Sequence, residues 1–212
     1  MGPAACLFDL DGLLLDTEPL QARAWHNAAA HFGCQLGAEQ LLSLRGQRRL
    51  DCAALVCRWI AASGSNPPSC EALLAVRQPL ADALVPTAAA MDGAAELVQM
   101  CRDHQVPMAL VTSSSRDAVR RKAAPHRWLE LIQVRVYGDD LALAAGKPAP
   151  DPFLLAAKRL GRNPGDCWAF EDSAAGIEAA VAAGCQVYAL LPSDAGAQAT
   201  PAGVSRLNSL RD

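Results

Sequence analysis

Two aspartates stand two positions apart at the end of a short apolar run, in Asp9-Leu10-Asp11-Gly12. Other apolar runs are followed by polar groups in turn: Thr112-Ser113-Ser114-Ser115, then Asp139-Asp140 with Lys147 beyond, then Glu171-Asp172-Ser173. Along an extended segment, residues two apart point the same way, so Asp9 and Asp11 face one place. Crowded carboxylates repel unless a cation neutralises them, and hard oxygen ligands suit Mg²⁺. Asp172 offers another such oxygen, with Glu171 beside it. Thr112 and the backbone N–H groups of Ser113 and Ser114, read as opening a helix, form an anion site. Lys147, between Gly146 and Pro148, adds a point positive charge. A cation site, an anion site and crowded carboxylates together describe phosphoryl transfer, in which catalysis is mostly positioning and charge neutralisation. Taken singly, each cluster has an ordinary reading as a helix cap or a solvated surface. Their succession at the ends of apolar runs is what carries the inference.

The elements that must position these groups alternate. Ala4–Leu10 reads as a buried strand. From Pro19 to about Leu84 the patterns are helical, over Pro19–Phe32, Ala38–Leu44, Arg49–Ala62 and Ser69–Leu84, divided by Gly and Pro signals. Beyond Pro86 come a helix at Gly93–His104, a strand at Val106–Thr112, a helix at Arg116–Ala123, a short one near Trp128 and a strand at Gln133–Tyr137. Then follow a helix at Pro152–Leu160, a strand at Cys167–Phe170, a helix at Ser173–Ala183 and a strand at Gln186–Leu190. From Pro192 onward the chain is Ala/Gly/Ser-rich and weakly patterned. Strands separated by helices predict an α/β fold with a Rossmann-like, doubly wound parallel sheet. In such sheets ligands bind beyond the carboxyl ends of the strands, where the polar clusters fall.

Bulk properties exclude other classes. The 212 residues are 51% apolar by composition and carry a net charge of −3, so there is no global basic field for nucleic acid. The eight cysteines include no Cys-x-x-Cys pair and no zinc spacing. The N-terminus lacks a signal-peptide pattern and no apolar stretch would span a membrane. A reduced, cytoplasmic protein is the expectation, a monomer only by default, with a small phosphorylated metabolite as its partner and neither nucleic acid nor membrane.

The motifs resemble those of the haloacid dehalogenase-like hydrolases, in particular the group of β-phosphoglucomutase and small sugar-phosphate phosphatases. Phe8-Asp9-Leu10-Asp11-Gly12-Leu13-Leu14-Leu15-Asp16-Thr17-Glu18 is similar to the first motif and its following segment, and Val111-Thr112-Ser113-Ser114 to the second. Gly146-Lys147-Pro148-Ala149-Pro150-Asp151-Pro152-Phe153 is similar to the third, and Phe170-Glu171-Asp172-Ser173-Ala174-Ala175-Gly176-Ile177 to the fourth. The resemblance spans nearly the whole chain. It implies Asp9 as nucleophile through an aspartyl-phosphate, Asp11 as acid then base, and Thr112 and Lys147 on the phosphoryl group. It further implies Mg²⁺ held by Asp9, the Asp11 carbonyl and Asp172 with Glu171 in support, and close approach of the Gly12 backbone, Ser113 and Ser114 to the substrate.

The same resemblance divides the chain into a core of residues 1–15 and 88–212 and a helical cap of residues 16–87. It puts hinges near Leu15–Thr17 and Leu84–Met91. Substrate choice would lie in the cap, at the polar turn Arg45, Gln47, Arg48 and Arg49, with Arg49 suited to a second anionic or polyhydroxy group. Trp25, His26 and His31 read as structural. Gln21 and Ser115 stand where the mutase would have a histidine and a lysine, which favours hydrolysis over mutase chemistry. A dehalogenase would lack the Glu171-Asp172 pair, and a silent binding module would not need the full residue set. Hexose phosphates, a pentose bisphosphate, glycerol phosphate and phosphoglycolate all remain open as substrates, with sugar phosphates first by resemblance.

Overall fold

The computed structural model describes residues 2–191 and 203–212. Six strands form one parallel sheet: β1 (Ala5–Phe8), β2 (Met108–Val111), β3 (Val134–Val136), β4 (Cys167–Glu171), β5 (Gln186–Leu190) and β6 (Val204–Leu207). Their order is β3-β2-β1-β4-β5-β6, so β1 lies inside the sheet with β2 on one side and β4 on the other. The chain therefore moves outward in one direction from β1 and then returns to move outward in the other. This reversal opens a crevice at the carboxyl end of β1.

Alternation along β1 builds two cores. Cys6 and Phe8 point to one face, where they meet Val98 and Cys101 of α5 (Ala94–Asp103) together with Leu13 and Leu14. Ala5 and Leu7 point to the other, against Phe153, Ala156 and Ala157 of α7 (Asp151–Leu160) and Ala179 and Ala180 of α8 (Ala174–Ala182). Small residues dominate this second face, which lets the two helices approach the sheet closely. The first face holds larger side chains, including the stacked rings of Phe8, Phe170 and Tyr188.

Between β1 and β2 lie α1 (Glu18–His31), α2 (Ala38–Ser43), α3 (Arg49–Ala62) and α4 (Cys70–Leu84). They enclose a separate apolar cluster that includes Trp25, Val56, Ile60 and Leu73. Trp25 is thus packed in this helical core, and His26 is tied through Nδ1 to the Leu36 carbonyl, 3.3 Å away. The two crossing points into and out of the helical segment run side by side. Asp16 N–H donates to the Ala89 carbonyl and Met91 N–H to that of Leu14, with Leu15 and Ala90 paired antiparallel.

One element escaped the sequence reading. The weakly patterned tail contains β6, which pairs in parallel with β5 through Val187↔Val204 to Leu190↔Leu207. An edge strand of four residues with two exposed side chains has too little apolar alternation to declare itself. Its backbone is ordered by the free edge of β5 instead. The part of that tail spanning 192–202 lies outside the described residues. Among the described residues, no helix is long and apolar enough to cross a membrane.

Candidate active site

The site forms where β1, β2 and β4 end together. Asp9 follows β1 directly, Thr112 follows β2, and Glu171 and Asp172 end β4. Lys147 comes from the long connection between β3 and α7 and is wholly buried. Its ammonium donates to Asp9 Oδ1 at 2.5 Å, to Glu171 Oε1 at 2.5 Å and to the Val111 carbonyl at 2.9 Å. It also lies 5.2 Å from the centre of the Phe153 ring. One cation is thus shared by two buried carboxylates.

Carboxylate oxygens of Asp9, Glu171 and Asp172 lie within 4.8 Å of one another. Glu171 Oε2 accepts from the backbone N–H groups of Asp172 and Ser173 and from Ser173 Oγ, which fixes its orientation. Asp172 Oδ1 is buried without a hydrogen-bond partner among the described residues. Burial pushes the Asp9 carboxyl up to about 7, with Lys147 pulling it down and Glu171 and Asp11 adding to the rise. Asp172 is held far above the ordinary range by burial and then by the charges of Asp9 and Glu171. Such a cluster is electrostatically short of positive charge, and hard oxygen donors with an orphaned carboxylate oxygen suit a divalent cation. Asp9, Glu171 and Asp172 therefore fit a bound Mg²⁺. The Asp11 side chain does not join them, which leaves only its backbone carbonyl for that role.

Asp11 is engaged elsewhere. Its carboxylate accepts from Thr17 Oγ1 at 2.6 Å, from Ser114 Oγ at 2.9 Å and from the ammonium of Lys122 through both oxygens. Burial raises its carboxyl, but the Lys122 charge and the three donors outweigh burial and hold it below the ordinary range. Gly12 adopts a φ of +90°, open to glycine, and a Cβ there would overlap the Asp172 carboxylate and the Glu18 side chain.

The second motif differs in detail from the sequence reading. Helix α6 (Arg116–Ala123) opens at Ser115, whose hydroxyl accepts from Ala118 N–H, so Ser113 and Ser114 precede the helix rather than begin it. Ser114 N–H donates to Thr112 Oγ1 at 3.1 Å, and Ser113 Oγ donates to the Gly46 carbonyl at 2.7 Å. The anion site read from these N–H groups is corrected accordingly: the hydroxyl of Thr112 already occupies one of them.

Above these groups the helical segment lines one side of an open cavity of about 380 Å³. Asp9, Asp11, Thr112, Ser113 and Ser114 line its floor, and Gln21, Trp25, Arg45, Arg49 and Arg77 are among those lining the rest. Arg49 is exposed and donates to Gln78 Oε1 at 2.8 Å. Arg45 reaches down instead, to Glu18 Oε2 at 3.1 Å and Asp172 Oδ2 at 2.9 Å.

Two residues that matter here were missed. Arg77 of α4 is 6% exposed, lies 4.6 Å over the Trp25 ring and donates to Gln21 Oε1. Burial lowers its guanidinium to about 10, and its Nε lacks a partner among the described residues. No local pattern in α4 signals that role. Lys122 did carry a signal: it stands seven residues after Ser115 with Val119 between, a helical spacing that places all three on one face. Its ammonium reaches Ser114, in the loop before α6, from two turns further along the helix.

Residues 3–184 match the family model of the haloacid dehalogenase-like hydrolases. Over 189 residues the chain is 37% identical to a probable pseudouridine-5'-phosphatase of Drosophila melanogaster, covering 86% of this chain and 79% of that one. It is 33% identical to fructose-1-phosphate phosphatase of Escherichia coli (strain K12), covering 85% and 93% respectively. Its fold matches that of CbbY from Rhodobacter sphaeroides, solved in complex with phosphate, with a TM-score of 0.81, 24% identity and coverage of 99% and 96%. With a carboxylate-rich crevice at the end of the central strand and matches of this extent, the chain belongs to the haloacid dehalogenase-like hydrolase family.

Proposed function

We propose that this chain is a magnesium-dependent phosphatase of a small phosphorylated metabolite, a sugar phosphate in the first instance, acting through an aspartyl-phosphate on Asp9. The observation that carries this reading is the buried Asp9 carboxylate, held by Lys147 at 2.5 Å within a cluster of acidic oxygens at the floor of a solvent-open cavity. That the two relatives described above carry phosphatase names supports it.

In the first step an Asp9 oxygen bonds to phosphorus as the bond to the leaving oxygen breaks, and Asp11, which must take up a proton beforehand against the pull of Lys122, supplies the proton that oxygen needs. In the second, water attacks phosphorus, Asp11 takes its proton, and the bond to Asp9 breaks to release phosphate. Lys147 orients Asp9 and offsets charge on the phosphoryl oxygens, with Thr112 beside it. Magnesium, held by Asp9, Asp172 and the Asp11 carbonyl with Glu171 in support, would supply further charge neutralisation. Burial of this apparatus under helices strengthens every charge interaction within it.

Residues 16–87 act as a cap in this reading, pivoting where Leu15 and Ala90 lie side by side and presenting Arg49 and Arg77 to the leaving group. Arg77 is the stronger candidate, because a buried guanidinium facing the cavity, with no carboxylate paired to it among the described residues, suits an anionic or polyhydroxy group on the substrate. Gln21, committed to Arg77, lacks the proton chemistry that a mutase asks of that position.

The test is phosphate release from a panel of phosphorylated metabolites and p-nitrophenyl phosphate, with magnesium and with EDTA. Magnesium-dependent release that vanishes in Asp9→Asn is expected. Activity of Asp9→Asn within about tenfold of the unaltered chain would refute covalent catalysis, since loss of a nucleophile costs far more. Conversion of β-glucose 1-phosphate to the 6-phosphate without release would establish a mutase. Absence of any turnover would leave a binding module.

A further inference from the structure

Lys122 is 1% exposed at the end of α6, a helix whose other cations, Arg116, Arg120 and Arg121, face solvent. Burying an ammonium costs stability unless a partner compensates it, and an apolar side chain would fill a helix–core contact at no such cost. The compensation here is specific. The ammonium donates to both carboxylate oxygens of Asp11 and to Ser114 Oγ at 2.8 Å, and Ser114 Oγ itself donates to Asp11 Oδ2. Thr17 closes the set from the other side. Asp11 lines the cavity, whereas Lys122 is not among the residues lining it. The ammonium therefore sits behind the carboxylate, away from where a substrate would bind.

We infer that Lys122 is a positioning residue for the reaction, fixing the orientation in which the Asp11 carboxyl meets the leaving oxygen of the substrate. The inference rests on the phosphatase reading and deepens it. The two buried lysines then divide the work: Lys147 orients Asp9 and Lys122 orients Asp11, while Lys158, the third lysine of the chain, is exposed. The hydroxyls of Thr17 and Ser114 each hold one oxygen of the carboxylate through a neutral hydrogen bond. The bridging ammonium adds a charge-assisted contact to both oxygens and stiffens that orientation, and proton transfer depends steeply on such alignment.

The experiment compares two esters. Protonation of the leaving oxygen matters greatly for an alkyl phosphate and little for p-nitrophenyl phosphate, whose phenolate leaves readily. Lys122→Met should lower kcat on an alkyl phosphate substrate by about a hundredfold, and on p-nitrophenyl phosphate by about tenfold or less. KM and the magnesium concentration for half-maximal rate should stay within about twofold, because neither phosphate nor metal is held by this residue. Lys122→Arg, which keeps the charge and is the safer variant for folding, should restore part of the loss on the alkyl ester. Equal losses on both esters, in either variant, would make Lys122 a scaffold residue and overturn the inference, as would wild-type rates. No magnesium-dependent turnover of either ester by the unaltered chain would instead overturn the phosphatase reading, and the inference with it.

Discussion

Replacing Lys147 by methionine removes the one cation shared by Asp9 and Glu171 while nearly preserving side-chain volume, so its effect isolates charge from packing. Both carboxylates are buried, and both ion pairs are 2.5 Å long. Removing one partner of a buried pair costs about 3–5 kcal/mol, because the charge left behind has neither water nor a counter-ion. The lost contact with the Phe153 ring adds roughly 0.5 kcal/mol or more. With an unfolding entropy of about 2.1 cal/mol/K per residue over 212 residues, 3–5 kcal/mol lowers Tm by about 7–11 °C. Thermal melts followed by circular dichroism in EDTA measure this directly. Adding magnesium supplies the missing positive charge, so the metal should raise the Tm of Lys147→Met by more than it raises that of the unaltered chain. A drop below about 2 °C in EDTA, corresponding to roughly 1 kcal/mol, would refute the claim that Lys147 balances the cluster. An equal magnesium response in both proteins would refute the assignment of Asp9 to the metal site.

Gly12→Ala places a Cβ against the Asp172 carboxylate at a φ of +90°, and should lose turnover by about a hundredfold or more while costing about 1–3 kcal/mol of stability. Turnover and a melt on the same preparation check both, and wild-type kinetics would show that this loop yields freely. Arg77→Met should raise KM for the metabolite substrate by about 10–150-fold, the worth of one charged hydrogen bond of about 1.5–3 kcal/mol, with p-nitrophenyl phosphate little affected. Parallel losses on both substrates would return Arg77 to the helical core. At the surface, the Arg159 guanidinium bonds both oxygens of Asp140, at 2.6 and 3.0 Å, and holds its carboxyl below the usual range. A depressed carboxyl stabilises the fold above its ordinary pKa, near 3.9, and that stability is lost as pH falls through the lower folded value. Asp140→Asn should therefore cost about 0.5–1 kcal/mol at pH 7, and the difference should vanish in strong acid. A difference that grew on acidification in urea titrations would contradict this sign.

Much of the fold was written in local periodicity. Among the described residues, each of β1 to β5 and of α1 to α8 lies within a residue or two of the boundaries that apolar spacing and Gly and Pro signals suggest. The chemistry at the strand ends was legible for a related reason. In a parallel sheet every strand points its carboxyl end the same way, so polar groups that follow successive strands must share one edge. Asp9, Thr112, Glu171 and Asp172 could be gathered on that rule before any distance was known, and the resemblance of its motif added Lys147 from the long connection after β3.

What the tertiary structure alone decided is how those groups pair. That Lys147 bridges Asp9 and Glu171, that Lys122 holds Asp11, and that Arg45 reaches Asp172 across 127 positions follow from packing between segments with no local signature. Arg49 and Arg77 illustrate the difference. Both belong to helices foreseen from the sequence, yet one is exposed on the cavity rim and the other is buried over Trp25. Strand β6 makes the same point for the backbone: its residues carry little pattern, and its order comes from the hydrogen-bonding edge that β5 leaves open. Periodicity records which face of an element is buried, and that is a property of a dozen neighbouring residues. The partner a buried charge meets depends on where distant elements cross, which no short window of sequence contains.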